Sequence, residues 1–114
     1  MSSLSASAEV VGSVDSVWRA LRRELGARAA GRSVDINGLR GFVQRVDSVA
    51  PHDVLVRVTD PVPGFVQFGA HEAGRDLVLV SMEGYLFSDD APRFVKREQP
   101  VWQDWLAEFG VRSR

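Results

Sequence analysis

The side chains in this chain best suited to chemistry lie between His71 and Tyr85: His71, Glu72, Ser81, Glu83 and Tyr85. Glu83 stands among apolar neighbours in a stretch that alternates with period two. Turned into an apolar pocket, such a carboxylate is desolvated, its neutral form is favoured, and it can transfer protons. Tyr85, two residues on, shares that face and offers a hydroxyl to a ligand oxygen. The structural alternative has Glu83 facing water or pairing with Arg57 or Arg97, and Tyr85 as a core or rim aromatic. His71 and Glu72 are adjacent, so a strand points them to opposite faces and they cannot hold one ion. His52 and His71 lack ligand spacing and cysteine is absent, so neither metal nor cofactor is expected. There is no Gly-x-Ser-x-Gly elbow and no phosphate loop, which leaves Ser81 as a strand residue rather than a nucleophile. The chain therefore reads more as a binder than as an enzyme.

Aromatic side chains supply the other functional signal. Trp18, Trp102 and Trp105 are well suited to gripping a flat apolar molecule, with plain core packing as the alternative. The candidate ligand-contact set is Glu83, Tyr85, Phe87, Trp102, Trp105 and Phe65.

The elements that must position these groups follow from the spacing. Residues 5–11 form a weak strand candidate. Ser13 then caps a helix whose apolar stripe is Val14, Val17, Trp18, Leu21 and Leu25, with Gly26 as its stop. Residues 33–37 are a short edge strand or a loop. From Gly41 the period is two: a strand to Val49, a turn at 50–53, and a strand over 54–59. Pro61 and Pro63 lack ladder donors and mark a connection. Phe65 to His71 is the next strand, 72–75 a hairpin turn, and Leu77 to Phe87 the longest strand. One face of that strand carries Val78, Val80, Met82, Gly84 and Leu86. The other carries Leu77, Leu79, Ser81, Glu83, Tyr85 and Phe87. Both need cover, which implies a pocket, a subunit contact, or both. After Ser88-Asp89-Asp90 a long helix bears Phe94, Val95, Val101, Trp102, Trp105, Leu106 and Phe109, is bent at Pro100, and ends at Gly110.

Composition narrows the class. With 114 residues the chain suffices for one domain, 1–114, with a core that needs no staples. A net charge of −1 with 45% hydrophobic residues suits a folded soluble protein rather than a disordered one. No secretory signal and no membrane span is visible, and a cytoplasmic setting is expected. Arg19, Arg22, Arg23, Arg28, Arg32, Arg40 and Arg45 face only Glu24 and Asp35 in their stretch, a basic segment able to meet phosphate or an acidic partner. No recognised nucleic-acid motif accompanies it, so nucleic-acid binding is not expected.

Gly41-Phe42-Val43, Thr59-Asp60-Pro61, Met82-Glu83-Gly84-Tyr85 and the segment Arg97 to Leu106 together resemble the second half of an SRPBCC (START/Bet v 1-like) domain. The branch most similar is that related to the activator of Hsp90 ATPase, with its Glu-Gly-aromatic triplet and a terminal helix bearing Arg, Trp and Leu. The resemblance covers about residues 41–109; in front of it, only Val17 to Leu21 looks like the family's first helix. This chain is shorter than usual there, compressing a second helix and further strand sequence into 26–40. The resemblance implies an α+β helix-grip fold, a curved antiparallel sheet on a long kinked C-terminal helix, with a shorter N-terminal helix. It also implies a small hydrophobic ligand held between sheet and helix. The shortened front half suggests an alternative, an interaction or homodimerising module. A cyclase- or dehydratase-like enzyme using Glu83 ranks third.

Overall fold

A computed structural model describes residues 2–47 and 52–112. Alternating apolar and polar residues build six strands: β1 (Ser2–Val11), β2 (Ser33–Ile36), β3 (Leu39–Asp47), β4 (His52–Asp60), β5 (Gly64–Gly74) and β6 (Leu77–Leu86). Two helices accompany them, α1 (Val14–Leu25) and α2 (Ala91–Arg112). The strands form one antiparallel sheet in the order β1-β6-β5-β4-β3-β2. The fold class is α+β helix-grip, as expected: a curled sheet with a short first helix and a long last one.

The ends of α1 are set by local chemistry. The Ser13 hydroxyl accepts the Ser16 N–H at 3.2 Å, satisfying a donor that the first turn leaves open. Gly26 adopts the left-handed conformation that a side chain resists, and its N–H turns back onto the Arg22 and Arg23 carbonyls. Val17, Trp18, Leu21 and Leu25 are buried, mainly against β5 and also against β2 and β6.

Tertiary packing settles which face of the longest strand turns inward. Val78, Val80, Met82 and Leu86 are fully enclosed, and Gly84 is buried beside them. They join Leu4, Val10, Val54, Val56, Val58, Val66 and Phe68 from the other strands. α2 lies along β1 and brings Phe94, Trp102, Leu106 and Phe109 into the same core. The Trp102 ring sits 5.8 Å from Phe68 and 5.4 Å from Trp105, which stacks on Phe109 at 6.4 Å. Burying an aromatic or aliphatic side chain of this size contributes about 1.5–3 kcal/mol, so this layer supplies much of the fold's driving force.

Of the two readings of residues 33–37, the edge strand holds: Ser33–Ile36 pairs with β3. Several boundaries differ from the sequence reading: β1 begins at Ser2 rather than residue 5, and β3 at Leu39 rather than Gly41. His52 and Asp53 belong to β4 rather than to a turn; positions 50 and 51 of that expected turn lie outside the described residues. The His52 ring stacks on Trp18 at 5.6 Å, and Asp53 bonds Arg45 and Gln67 across neighbouring strands, contacts that extend the strand. The β5–β6 turn is the pair Arg75-Asp76, with an irregularity between Glu72 and Gly74 absorbing the extra residue. Finally, α2 runs through Gly110 to Arg112. A Cβ on Gly110 would meet Val10 Cγ2 at 3.4 Å and the Glu9 carbonyl at 3.5 Å, ordinary van der Waals contact, so the helix continues past this glycine against β1.

Candidate binding face on the outside of the sheet

Strand register assembles an aromatic row on the face turned away from the helices. Phe42 pairs with Arg57, Arg57 with Phe65, Phe65 with Tyr85, and Tyr85 with Ser3, so one line crosses β3, β4, β5, β6 and β1. Phe42 is 50% exposed, Tyr85 44% and Phe65 36%, well above what a core aromatic shows. Phe87 extends the row, its ring edge-on to Phe65 at 6.2 Å and its N–H bonded to the Pro63 carbonyl. Among the described residues no element covers this row.

The next two rows turn polar. Gln67 pairs with Glu83, and Gly69 pairs with Asp53 on one side and with Ser81 on the other. Because Gly69 carries no side chain, a depression of about 410 Å³ opens there, lined among others by Asp53, Gln67, His71, Ser81 and Glu83. One wall is fixed: the Asp53 carboxylate accepts from Gln67 Nε2 at 3.0 Å and from Arg45 Nη2 at 3.4 Å, while Arg45 Nε pairs with Asp47 at 3.1 Å. Glu83 is solvent-exposed and makes no ion pair with Arg57 or Arg97. Its setting is that of a solvated strand carboxylate.

The six candidate ligand residues therefore divide. Glu83, Tyr85, Phe65 and Phe87 come together on the outer face, whereas Trp102 is buried on the helix side and Trp105 is half-buried beside it. His52 and His71 likewise fall on opposite faces. Phe42, Asp53, Gln67 and Gly69 are members that sequence reasoning did not select. Period-two spacing shows which residues of one strand share a face, but their neighbours on the next strand depend on register.

No protein-family model and no curated protein matches the sequence. Solved structures do share the fold. A protein from Nitrosospira multiformis superposes with a TM-score of 0.80 at 13% identity, covering 99% of this chain and 97% of that one. CalU16 from Micromonospora echinospora gives 0.74 at 18% identity, over 98% of this chain and 74% of that one. The Aha1 dimer from Colwellia psychrerythraea gives 0.72 at 14% identity, over 96% and 94%. Identities this low establish a common architecture and nothing about ligands. Among the described residues no helix is long and apolar enough to cross a membrane.

Proposed function

We propose that residues 1–114 act as a binding module of the SRPBCC superfamily, near the branch related to the activator of Hsp90 ATPase, and that the module pairs with a second copy of itself. The fold likeness to the Aha1 dimer and the Glu83-Gly84-Tyr85 triplet support the family reading. The observation that carries the pairing is the uncovered row Phe42, Arg57, Phe65, Tyr85 and Phe87.

The row suits a two-fold contact. Sheets pack face to face about 10 Å apart. With a two-fold axis running along β5, Phe65 meets the partner's Phe65. Arg57 then lies opposite the partner's Tyr85, a cation over an aromatic face, with the partner's Glu83 on the diagonal. Each contact occurs twice, as an isologous interface requires. From β3 to β1 the face spans about 19 Å, and from Phe65 to His71 about 20 Å, on the order of 400 Å² before side-chain relief. That is about half of what a standard interface buries per partner, so the pair expected is a dissociable one.

Sedimentation equilibrium over a concentration series tests this. Wild type should show a monomer–dimer equilibrium. Phe65→Glu, which sets a carboxylate beside Arg57 in one copy and against its own image in the pair, should stay monomeric with thermal unfolding little changed. A monomeric wild type at the highest concentration, or equal pairing by the variant, would overturn the reading.

A second reading keeps the pocket between the sheet and α2 for a small hydrophobic molecule. It is favoured by Trp105, half-buried at the rim of the Trp102–Phe109 stack. It requires space that Phe68, Met82, Trp102 and Leu106 now fill. An apolar fluorescent probe that quenches tryptophan emission in wild type but much less in Trp105→Leu would support it. A probe that leaves the emission of folded wild type unchanged would remove it.

A further inference from the structure

We propose that the C-terminal end of α1 carries a binding site for a phosphoryl group or a similarly compact dianion, held by Arg19, Arg23 and Arg28 over a floor fixed by Arg22. The four arginines line a common shallow, solvent-open cleft of about 330 Å³, and no acidic residue lines it with them.

The chain builds this cleft through its backbone. Arg19, Arg22 and Arg23 stand three and four residues apart, so they project as neighbours on one helix surface. Gly26 then reverses the chain and buried Ala27 anchors it, which returns Arg28 to the same place. Arg22 laces the reversal together: its Nε donates to the Ala27 carbonyl at 3.3 Å and its Nη2 to the Arg28 carbonyl at 3.0 Å. Meanwhile Glu24, which adjoins Arg23 in the sequence, is engaged by Arg112 Nη1 at 2.8 Å. Arg19, Arg23 and Arg28 have no ion-pair partner among the described residues.

Like charges at this spacing cost a helix about 0.2–0.5 kcal/mol per pair. The negative end of the helix dipole offsets that for charges in its last turn. Arg19 lies further back, and Arg28 lies past the end, so the dipole does not account for the convergence. Guanidinium forks match phosphoryl oxygens in pairs of hydrogen bonds, which is the chemistry that three converging arginines provide. This site lies on α1, away from the outer sheet face, and does not depend on the dimer.

The test is an NMR titration that follows the side-chain Nε–H signals of Arg19, Arg23 and Arg28. One arm uses inorganic phosphate, with chloride at matched ionic strength as control; the other uses vesicles containing phosphatidic acid. Saturable shifts with phosphate, reduced at least tenfold in apparent affinity by Arg19→Gln/Arg23→Gln, support a soluble phosphoryl ligand. Saturable binding to vesicles alone, lost in the same variant, supports a headgroup source. Shifts that rise linearly and equally with phosphate and chloride, with no vesicle binding, mean general screening and overturn the site. So does binding unaffected by the variant. Both positions are exposed, and a matched amide spectrum verifies that the variant is folded.

Discussion

Gln103 of α2 meets Ser7 of β1 as an adjoining strand would. Its Nε2 donates to the Ser7 carbonyl at 2.6 Å and its Oε1 accepts the Ser7 N–H at 3.2 Å. Gln99 makes the same pair of bonds to Ser5, its Oε1 accepting the Ser5 N–H at 3.1 Å and its Nε2 donating to the Ser5 carbonyl. The spacing explains why both fit: four helical residues rise about 6.0 Å, and two strand residues advance about 6.6–6.8 Å. β1 is an edge strand whose outward N–H and C=O groups would otherwise template pairing with another chain. Two amides close that edge.

Replacing both amides should therefore expose it. Gln99→Ala/Gln103→Ala is expected to lose about 1–2 kcal/mol in urea unfolding, since water replaces part of each bond. The sharper readout is hydrogen exchange. Ser5 and Ser7 amides should be protected in wild type and should exchange much faster in the double variant, while the enclosed strand β5 stays slow. Unchanged exchange at Ser5 and Ser7 would refute the clamp.

The two tryptophans of α2 should differ in cost. Trp102 is 1% exposed between Phe68 and Trp105, so Trp102→Ala leaves a cavity in the centre of the layer and should cost about 3–5 kcal/mol. Trp105 is half-buried, and Trp105→Ala should cost clearly less. Denaturant midpoints of the two variants provide the comparison; equal losses would mean that Trp105 is core as well.

Two sheet glycines should behave oppositely. A Cβ on Gly64 would lie 2.1 Å from the Tyr85 carbonyl oxygen, backbone that cannot give way, so Gly64→Ala should cost about 3 kcal/mol or more. A Cβ on Gly69 would approach the His52 carbonyl no closer than 3.4 Å, over the open depression. Gly69→Ala should stay within about 1 kcal/mol of wild type. Thermal unfolding of the pair checks both.

His52 is 7% exposed and its Nδ1 has no hydrogen-bond partner, as is true of Trp18 Nε1 beside it. An unsatisfied buried polar atom costs about 1–3 kcal/mol. His52→Phe keeps a ring against Trp18 and removes that atom, at the loss of the 3.5 Å approach of Nε2 to Asp15. The variant should be as stable as wild type or more so. A loss beyond about 1 kcal/mol would show instead that the imidazole has a polar partner in solution, such as an enclosed water.

Local order alone made much of this molecule legible. Ser13 and Gly26 bound α1 because capping is chemistry within a few residues, and the Val17–Leu25 stripe names its buried side because helical spacing is intrinsic to the chain. The period-two runs likewise gave the strands, and Phe94, Trp102, Leu106 and Phe109 gave the core side of α2. Val101, assigned to the same stripe, is 43% exposed, since the side of α2 that meets the sheet is narrower than its apolar content.

What only the tertiary structure decided is which side of each strand is inside and who stands beside whom. Both faces of β6 are apolar enough to be buried, so alternation defines two sets of residues without saying which one the helices cover. Covering the Val78–Leu86 face moved Glu83 and Tyr85 outward, and register across four strands then lined Tyr85 up with Phe65, Arg57 and Phe42. Gln99 and Gln103 read in the sequence as ordinary polar helix positions. Their role exists only because residues more than ninety positions apart are brought together, and long-range pairing leaves no periodic trace in either segment.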